Sequence, residues 1–575
     1  TRSATAYYNR DFRQTYNAVL NYNETFFLDH HVEVMLGMEY YNKYQRGFEA
    51  QGQGAPTDDL PDLSLTDKGE GKRTINSWHE KQRILSFFGR LNYDFKDKYL
   101  LSFVFRRDGY SSLLGDNRWG FFPGVSAGWI FGREDFIKEA IPVMSFGKLR
   151  ASYGINGNAS GIGAYTLQGS YGSSNSNGSF NYNGNTSYLI TELPNPNLRW
   201  EKTATFEVGA DLSFFANRLN TNLTYYNRLT SDKYAALSFP PSTGFSSVTN
   251  NNGEFRNQGI EIELSGKIID SKDWTWSASG NIAFNKNKIV SLPDNGMERN
   301  RINAFQVYTG NGDEKKWVGG QQEGQEPGIL YLYQADGIYR SYDEIPANLV
   351  RKYGSRTYYG PEAWNKLTAE QQNATTNFPI QPGDTKFHDV NGDDVIDEFD
   401  KVKVGATSPR WTGGFNTTLR WKNFQLYGRF DYALGFWLYE NSGTQSTTPW
   451  FMGCYQGTYN TPTMYYDTWS ESNPNAKYPR YLFADQNGKN NYIASTMFAY
   501  RGDYLAIREI SLSYSLPESV AKMLKMQRAE VSITGQNLGY ITGAKNVGSP
   551  EANPKDNGAV GQGYSLPRTI LFGVN

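Results

Sequence analysis

The chain has 575 residues, with 57 Lys and Arg against 58 Asp and Glu and a formal net charge of −1, so the basic face of a general nucleic-acid binder is missing. Its apolar fraction is 38% and no run of about 18 uncharged apolar residues occurs, which excludes spanning helices but not spanning strands, where only alternate residues meet lipid. A single cysteine, Cys454, and four histidines exclude an internal disulfide and leave little for imidazole catalysis.

The chain opens on Thr1 without a signal peptide, already close to a strand, so it reads as part of a longer protein. Gln14–Phe26 and His31–Arg46 flank a turn at Phe27–His30, and in the second segment Val32, Val34, Leu36, Met38 and Tyr40 alternate against Glu33, Gly37, Glu39 and Tyr41. Gly47–Gln82 reads as a long polar connection. Arg83–Phe95 and Tyr99–Asp108 follow, joined by Lys96-Asp97-Lys98, then Trp119–Phe131, a connection containing Pro142, and Lys148–Gly157. Asn158–Arg199, rich in Ser, Gly, Asn and Tyr, reads as an outward loop because strands resume after it with register intact.

Trp200–Phe214 and Arg218–Leu229 form the next hairpin over Phe215-Ala216-Asn217. Ala204, Phe206, Val208, Ala210, Leu212 and Phe214 share one face there, and Thr205, Glu207, Gly209, Asp211 and Ser213 the other. Gln258–Ile269 and Trp274–Ile289 pair across Asp270–Asp273. Between Val290 and Ser408 the pattern weakens, with a strand-like stretch at Gly328–Tyr339 and a short helix at Pro361–Gln372. Alternation returns in Arg410–Trp421 and Phe424–Leu438, breaks at the loop Tyr439–Arg501, and ends with Tyr504–Leu516, Ala529–Leu538 and Arg568–Asn575.

Pairs of such strands, with tiny turns on one side and long loops on the other, predict an all-β fold: a transmembrane antiparallel β-barrel with short periplasmic turns and long extracellular loops. Placing all the short turns on one side gives about fifteen strands. An odd count ending on the inner side makes the first strand run inward and leaves an odd number of strands to precede it. Tyr, Phe and Trp make up 15% of the chain, which suits interfacial girdles and ligand-stacking loops alike.

At Phe88-Gly89-Arg90-Leu91-Asn92-Tyr93, Lys98-Tyr99-Leu100-Leu101, Arg106-Arg107-Asp108-Gly109, Asn117-Arg118-Trp119-Gly120 and Phe122-Pro123-Gly124-Val125-Ser126-Ala127-Gly128-Trp129, the chain resembles the SusC-like TonB-dependent transporters of Bacteroidetes-type outer membranes. Further matches lie at Leu149–Gly154, Asn195–Lys202, Asn257–Glu261, Asp336–Tyr339 and Gly535-Gln536-Asn537-Leu538. Each is weak alone; their order is specific.

The resemblance implies a barrel of about 22 strands in the bacterial outer membrane, closed by an N-terminal plug. Residues 1–575 would then be the C-terminal part of one barrel domain, its eighth to last strands, with the plug and first strands absent. It implies TonB-dependent active import of an oligomeric nutrient, an oligosaccharide first and an oligopeptide second, with a SusD-like lipoprotein as lid and the TonB complex acting through the missing N-terminal part. A dimer of transporter–lipoprotein pairs is among the assemblies it allows. No bond is broken, no enzyme is expected, and no organic cofactor is implied. A passive porin or siderophore receptor, and a soluble all-β enzyme acting on polysaccharide, are the rival classes.

Two further patterns stand out. Asp389, Asn391, Asp393, Asp397 and Asp400, with the Val395 carbonyl, are spaced as in a twelve-residue calcium loop. Asp394 replaces the usual Gly, and Asp400 reaches less far than Glu. A structural Ca²⁺ is therefore expected there, a plain acidic turn being the alternative. Trp450, Phe451, Tyr455, Tyr459, Tyr465, Tyr466 and Trp469 crowd one outward loop, where rings stack on substrate or lid, or else pack the loop on itself. Arg106 and Arg107 read as strand-end charges paired with Asp108 and Asp116.

Overall fold

In the computed structural model, the described residues are all except 1, 60, 61, 70, 176, 177, 180, 184, 440–466, 481–493, 545–548 and 552–565. Fifteen strands form one antiparallel sheet in which each strand lies beside its neighbours in sequence. We number them β1 (Ser3–Phe26), β2 (His30–Gln53), β3 (Arg73–Phe95), β4 (Tyr99–Tyr110), β5 (Trp119–Trp129), β6 (Met144–Asn158), β7 (Glu201–Phe214), β8 (Leu219–Ser238), β9 (Ser247–Asp270), β10 (Trp274–Ser291), β11 (Trp411–Trp421), β12 (Phe424–Leu434), β13 (Tyr504–Ser515), β14 (Glu530–Thr542) and β15 (Thr569–Val574). Among the described residues no helix is long and apolar enough to cross a membrane.

The chain divides into two compact units, one of Thr1–Leu212, Thr224–Gln258 and Val290–Asn300, the other of Ser213–Leu223, Gly259–Ile289 and Arg301–Asn575. In the first, β1 pairs with β2 from Phe26↔His30 to Ser3↔Gln53, and β2 with β3 from His30↔Phe95 to Gly52↔Arg73. The polar connection expected over Gly47–Gln82 is therefore strand at both ends, over 47–53 and 73–82. Backbone pairing needs no apolar side chains, and a 24-residue strand spans roughly 80 Å, far beyond a hydrocarbon core of about 30 Å. Outside that slab lipid no longer imposes alternation.

Within the slab the alternation is plain. Leu20, Leu36, Leu91, Phe103 and Val125 lie exposed on one face, while Glu33, Asn92 and Ser102 bond to one another on the other. Glycines admit aromatic rings between strands. A Cβ on Gly37 would stand 2.4 Å from a ring carbon of Phe88, and one on Gly89 2.6 Å from a ring carbon of Phe105. The turn after β1 places Phe27 (φ 50°) and Leu28 (φ 67°) in the left-handed region, as do Lys96 and Asp97 after β3. This is the backbone hand that tight hairpins between twisted strands require.

With apolar strand faces turned outward, buried cores form under the connections instead. In the first unit Tyr110, Leu113, Phe122, Ile162, Leu167, Leu198 and Trp200 pack together, and Asn251 ties the segment down by accepting from Arg199 N at 2.8 Å and donating to Arg199 O at 2.9 Å.

In the second unit an aromatic row crosses the strands. Trp274 pairs with Trp421, and Phe424 with both Trp421 and Tyr514, their ring centres 5.7, 5.9 and 4.6 Å apart. The insertion between β10 and β11 has its own core of Tyr333, Tyr339, Ile345, Leu349, Tyr358, Ile380, Phe387 and Ile396, and Ile329–Tyr333 pairs with Lys401–Ala406. The single helix expected over Pro361–Gln372 is two, Pro361–Asn365 and Ala369–Gln372, because Thr368 starts the second with a capping box to Gln371. The strand expected over Phe424–Leu438 breaks at Gly435 (φ 81°), and Trp437–Tyr439 pairs separately with Ala499–Arg501.

Candidate functional site

In the first unit the face opposite the exposed apolar one carries several groups of bonded polar side chains. Asn92 Nδ2 donates to Glu33 Oε2 at 2.7 Å, and Ser102 Oγ donates to Asn92 Oδ1 at 2.7 Å. Arg150 on β6 reaches Asp211 on β7 (3.4 Å) and Thr224 on β8 (2.5 Å), and Arg228 reaches Glu207 (3.2 Å). Small side chains between these groups, Ser126, Ala127, Gly128 and Ser152, leave two adjoining cavities of about 500 and 540 Å³ that share Ser102, Ser126, Ser152 and Glu207. A wall of alternating donors and acceptors with room before it suits passage of a hydroxyl- or amide-rich solute, which exchanges water for wall contacts.

A separate polar group centres on Arg106. Its guanidinium bonds Asp108 at 2.8 Å, fully buried Ser86 at 2.8 Å and Glu39 at 3.2 Å, and lies 5.5 Å from the Phe88 ring centre. Its carboxylate partners are thus Asp108 on its own strand and Glu39 two strands away on β2, in place of the expected Asp116. Arg107 points the other way, over Trp119 at 5.1 Å.

The acidic loop lies in the insertion of the second unit, and its carboxylates bond backbone amides. Asp389 accepts from Gly392 N (2.7 Å) and Asp394 N (2.8 Å), Asp393 from Val395 N (2.8 Å), Asp397 from Phe399 N (2.9 Å), and Asp400 from Val390 N (2.9 Å) and Asp397 N (2.7 Å). Asp394, at the position where Gly was expected, takes a left-handed φ of 61°. Asn391 donates to Asp313 and Asp393 at 3.0 Å each, and its buried Oδ1 has no donor. Burial, with Asp397 and Asp389 close by, pushes the Asp400 carboxyl up to about 6 despite its two amide bonds. Among the described residues no three acidic, histidine or cysteine side chains converge to hold a metal.

Of the aromatic cluster, Trp450, Phe451, Tyr455, Tyr459, Tyr465 and Tyr466 lie outside the described residues. Trp469 packs over Gly383 (φ 87°), where a Cβ would come within 2.5 Å of the indole. Beside it Arg480 bonds fully buried Asp384 at 2.7 Å, so this ring packs against the insertion between β10 and β11.

Sequence reasoning missed a cluster in the second unit around Arg508. The guanidinium donates to Asp431 Oδ2 at 2.6 Å and to Glu551 Oε1, and Tyr540 Oη donates to Glu551 Oε2 at 2.8 Å. The one signal near it was Gly535-Gln536-Asn537-Leu538, where the partner strand slips register.

Membrane-crossing strands with an apolar outer face, a hydrogen-bonding inner face and cores beneath long connections are those of an outer-membrane β-barrel. Residues 1–360 match the family model described as TonB dependent receptor-like, beta-barrel, and the chain belongs to that family. It is 28% identical over 578 positions to TonB-dependent receptor P3 of Formosa agariphila, covering 98% of this chain and 52% of the relative. It is 26% identical over 560 positions to TonB-dependent receptor SusC of Bacteroides thetaiotaomicron, covering 94% and 48%. The chain thus spans about half the length of the curated relatives it matches. A solved structure of the RagAB peptide transporter shares the fold, with a TM-score of 0.73 at 22% identity over 100% of this chain and 56% of that one.

Proposed function

We propose that this chain forms barrel wall and outer loops of a TonB-dependent importer that takes up an oligosaccharide with a SusD-like surface lipoprotein as lid. The observation that carries the reading is the set of bonded polar groups, Glu33–Asn92–Ser102, Arg150–Asp211 and Arg228–Glu207, on strands whose other face is apolar, in a member of the receptor family. Such a wall guides a solute and carries out no chemistry on it. An oligopeptide cargo is the second reading, supported by the shared fold of the RagAB peptide transporter. Deleting the gene should abolish growth on the imported nutrient. The full-length protein, purified from outer membranes, should bring a lipoprotein and bound oligomer that mass spectrometry assigns to glycan or peptide. Unimpaired growth on every oligomer tested and no co-purifying lipoprotein would sink the proposal.

We also propose that the loop 389–400 takes calcium. The spacing of oxygen donors supports this, as do the donorless Asn391 Oδ1 and the raised Asp400 carboxyl, because crowded carboxylates are relieved by a hard cation. A carboxylate oxygen accepting one amide bond keeps a lone pair for an ion. The amide bonds shape the loop, and a cation would draw those carboxylates closer.

A further inference from the structure

Arg508 sits where the ladders on both sides of β13 lose register. Toward β12 the pairs run Phe430↔Ile507 and then Arg429↔Glu509, and toward β14 Ile507↔Gly539 and then Glu509↔Gln536. Opposite it Asn537 takes φ 51° and Gly539 φ 154°. A bulge re-aims the side chain of its extra residue. Here Tyr504, buried Ala506 and Arg508 share the inner face before the slip, and Glu509 and Ser511 after it, while Ile510 and Leu512 stay exposed. Arg508 and Glu509 are thus consecutive residues on one face, an arrangement an unbroken strand forbids.

The two carboxylates on Arg508 differ in kind. Asp431 is fixed on β12 at 2.6 Å. Glu551 lies beyond the end of β14, with its amide donating to Ser549 Oγ at 3.2 Å, and places its carboxylate against the guanidinium and the Tyr540 hydroxyl. Tyr504 neighbours the same carboxylate, and its ring lies edge-on to Tyr540 at 5.9 Å. The guanidinium, with 13% of its side chain exposed, is already neutralised by Asp431. What holds Glu551 is therefore directional hydrogen bonding from Arg508 and Tyr540, the recognition a free carboxylate seeks.

We propose that Arg508, Tyr504 and Tyr540 form a carboxylate-binding subsite on the inner face of the strands, filled from within the chain by Glu551, which a carboxylate of the imported nutrient displaces. The proposal rests on the import reading and narrows the cargo to oligomers bearing a carboxylate, a uronate or a peptide C-terminus. Asp431 keeps the guanidinium oriented, and the two phenols select a planar acceptor over a hydroxyl.

The test measures binding to the full-length transporter in detergent by calorimetry, with trigalacturonic acid against its methyl ester and trialanine against its C-terminal amide. Glu551→Gln removes the internal carboxylate and should tighten one acid probe by about tenfold, the worth of a charge-assisted bond, leaving its neutral counterpart unchanged. Tyr540→Phe, which deletes one hydroxyl from a packed ring, should weaken that gain severalfold, and Arg508→Gln should erase it. Which acid responds identifies uronate or peptide. Equal response of acid and neutral probes, or no tightening in Glu551→Gln, overturns the subsite. Persistent uptake alongside either result leaves the import reading standing, whereas acid binding in a transporter whose deletion affects no uptake sinks that reading and not the subsite.

Discussion

Ser511 Oγ and Thr534 Oγ1 stand 2.7 Å apart across β13 and β14, while Leu512 and Ile533, their neighbours in the same register, are exposed. A one-residue slip would put the hydroxyls in lipid and the aliphatic chains on the polar side. Leu512→Arg should therefore cost roughly 2–4 kcal/mol if it lies near mid-membrane, and Ser511→Arg distinctly less. Denaturant titration of the full-length protein refolded into vesicles measures both; equal losses would contradict this register.

Gly37 accommodates the Phe88 ring with no room for a Cβ, and Phe88 in turn lies under Arg106. Gly37→Val should cost about 1–3 kcal/mol, as overpacking does, and disturb the Arg106 network. The thermal midpoint of the purified barrel reports the loss, and Gly37→Val with Phe88→Leu should recover part of it.

Glu134 accepts from Lys98 Nζ (2.8 Å), Tyr99 Oη (2.8 Å) and Trp129 Nε1 (3.3 Å). These bonds, Lys98 foremost, lower its carboxyl to about 2. A lowered carboxyl contributes stability that is present above its unfolded value and lost as pH falls through the folded one. Hydrogen exchange at the helix Asp135–Ala140 should thus stay slow under mildly acidic conditions that neutralise an ordinary glutamate, and quicken only near pH 2. Glu134→Gln should make exchange fast at neutral pH.

Asp400 behaves with the opposite sign. Its raised carboxyl favours the protonated folded loop, so that contribution is complete below the unfolded value and lost as pH rises through about 6. Calcium favours the ionised form and should pull the midpoint down. Exchange at the Val390 and Asp397 amides, followed against pH with millimolar calcium or chelator, checks both; a midpoint indifferent to calcium would remove the cation from this loop.

The fifteen sheet strands were legible because lipid on one side and polar groups on the other impose period two, seen at Phe206 and Val208 against Glu207 and Asp211. Where that constraint ends, legibility ends: Phe48–Gln53 and Arg73–Gln82 extend β2 and β3, yet nothing in their polarity separates strand from loop. The Arg508 cluster was hidden because a bulge shifts the pattern by one residue and its partners Asp431 and Glu551 lie 77 and 43 residues away. The acidic loop was legible as spacing, but the turn of each carboxylate onto a backbone amide depends on torsions that spacing does not specify. For Trp469 ligand stacking and packing both stayed open in the sequence, because an aromatic among Gly and Thr looks the same whether it meets a sugar or Gly383.

Neighbouring strands in this sheet are neighbours in sequence, but β10 and β11 must meet across the whole insertion from Ser291 to Trp411. Closing a long loop costs entropy before any pairing rewards it, and slows folding more than it weakens the product. The insertion supplies its own remedy. Ile329–Tyr333 clasped to Lys401–Ala406 brings its two ends together, and Ile289 exchanges backbone bonds with Gln325 (2.9 Å) and Gly324 (2.8 Å). Once folded, the insertion turns a distant encounter between β10 and β11 into a near one. Substitutions in its core, at Tyr358 or Ile396, should then act on the timing of barrel assembly as much as on the finished surface.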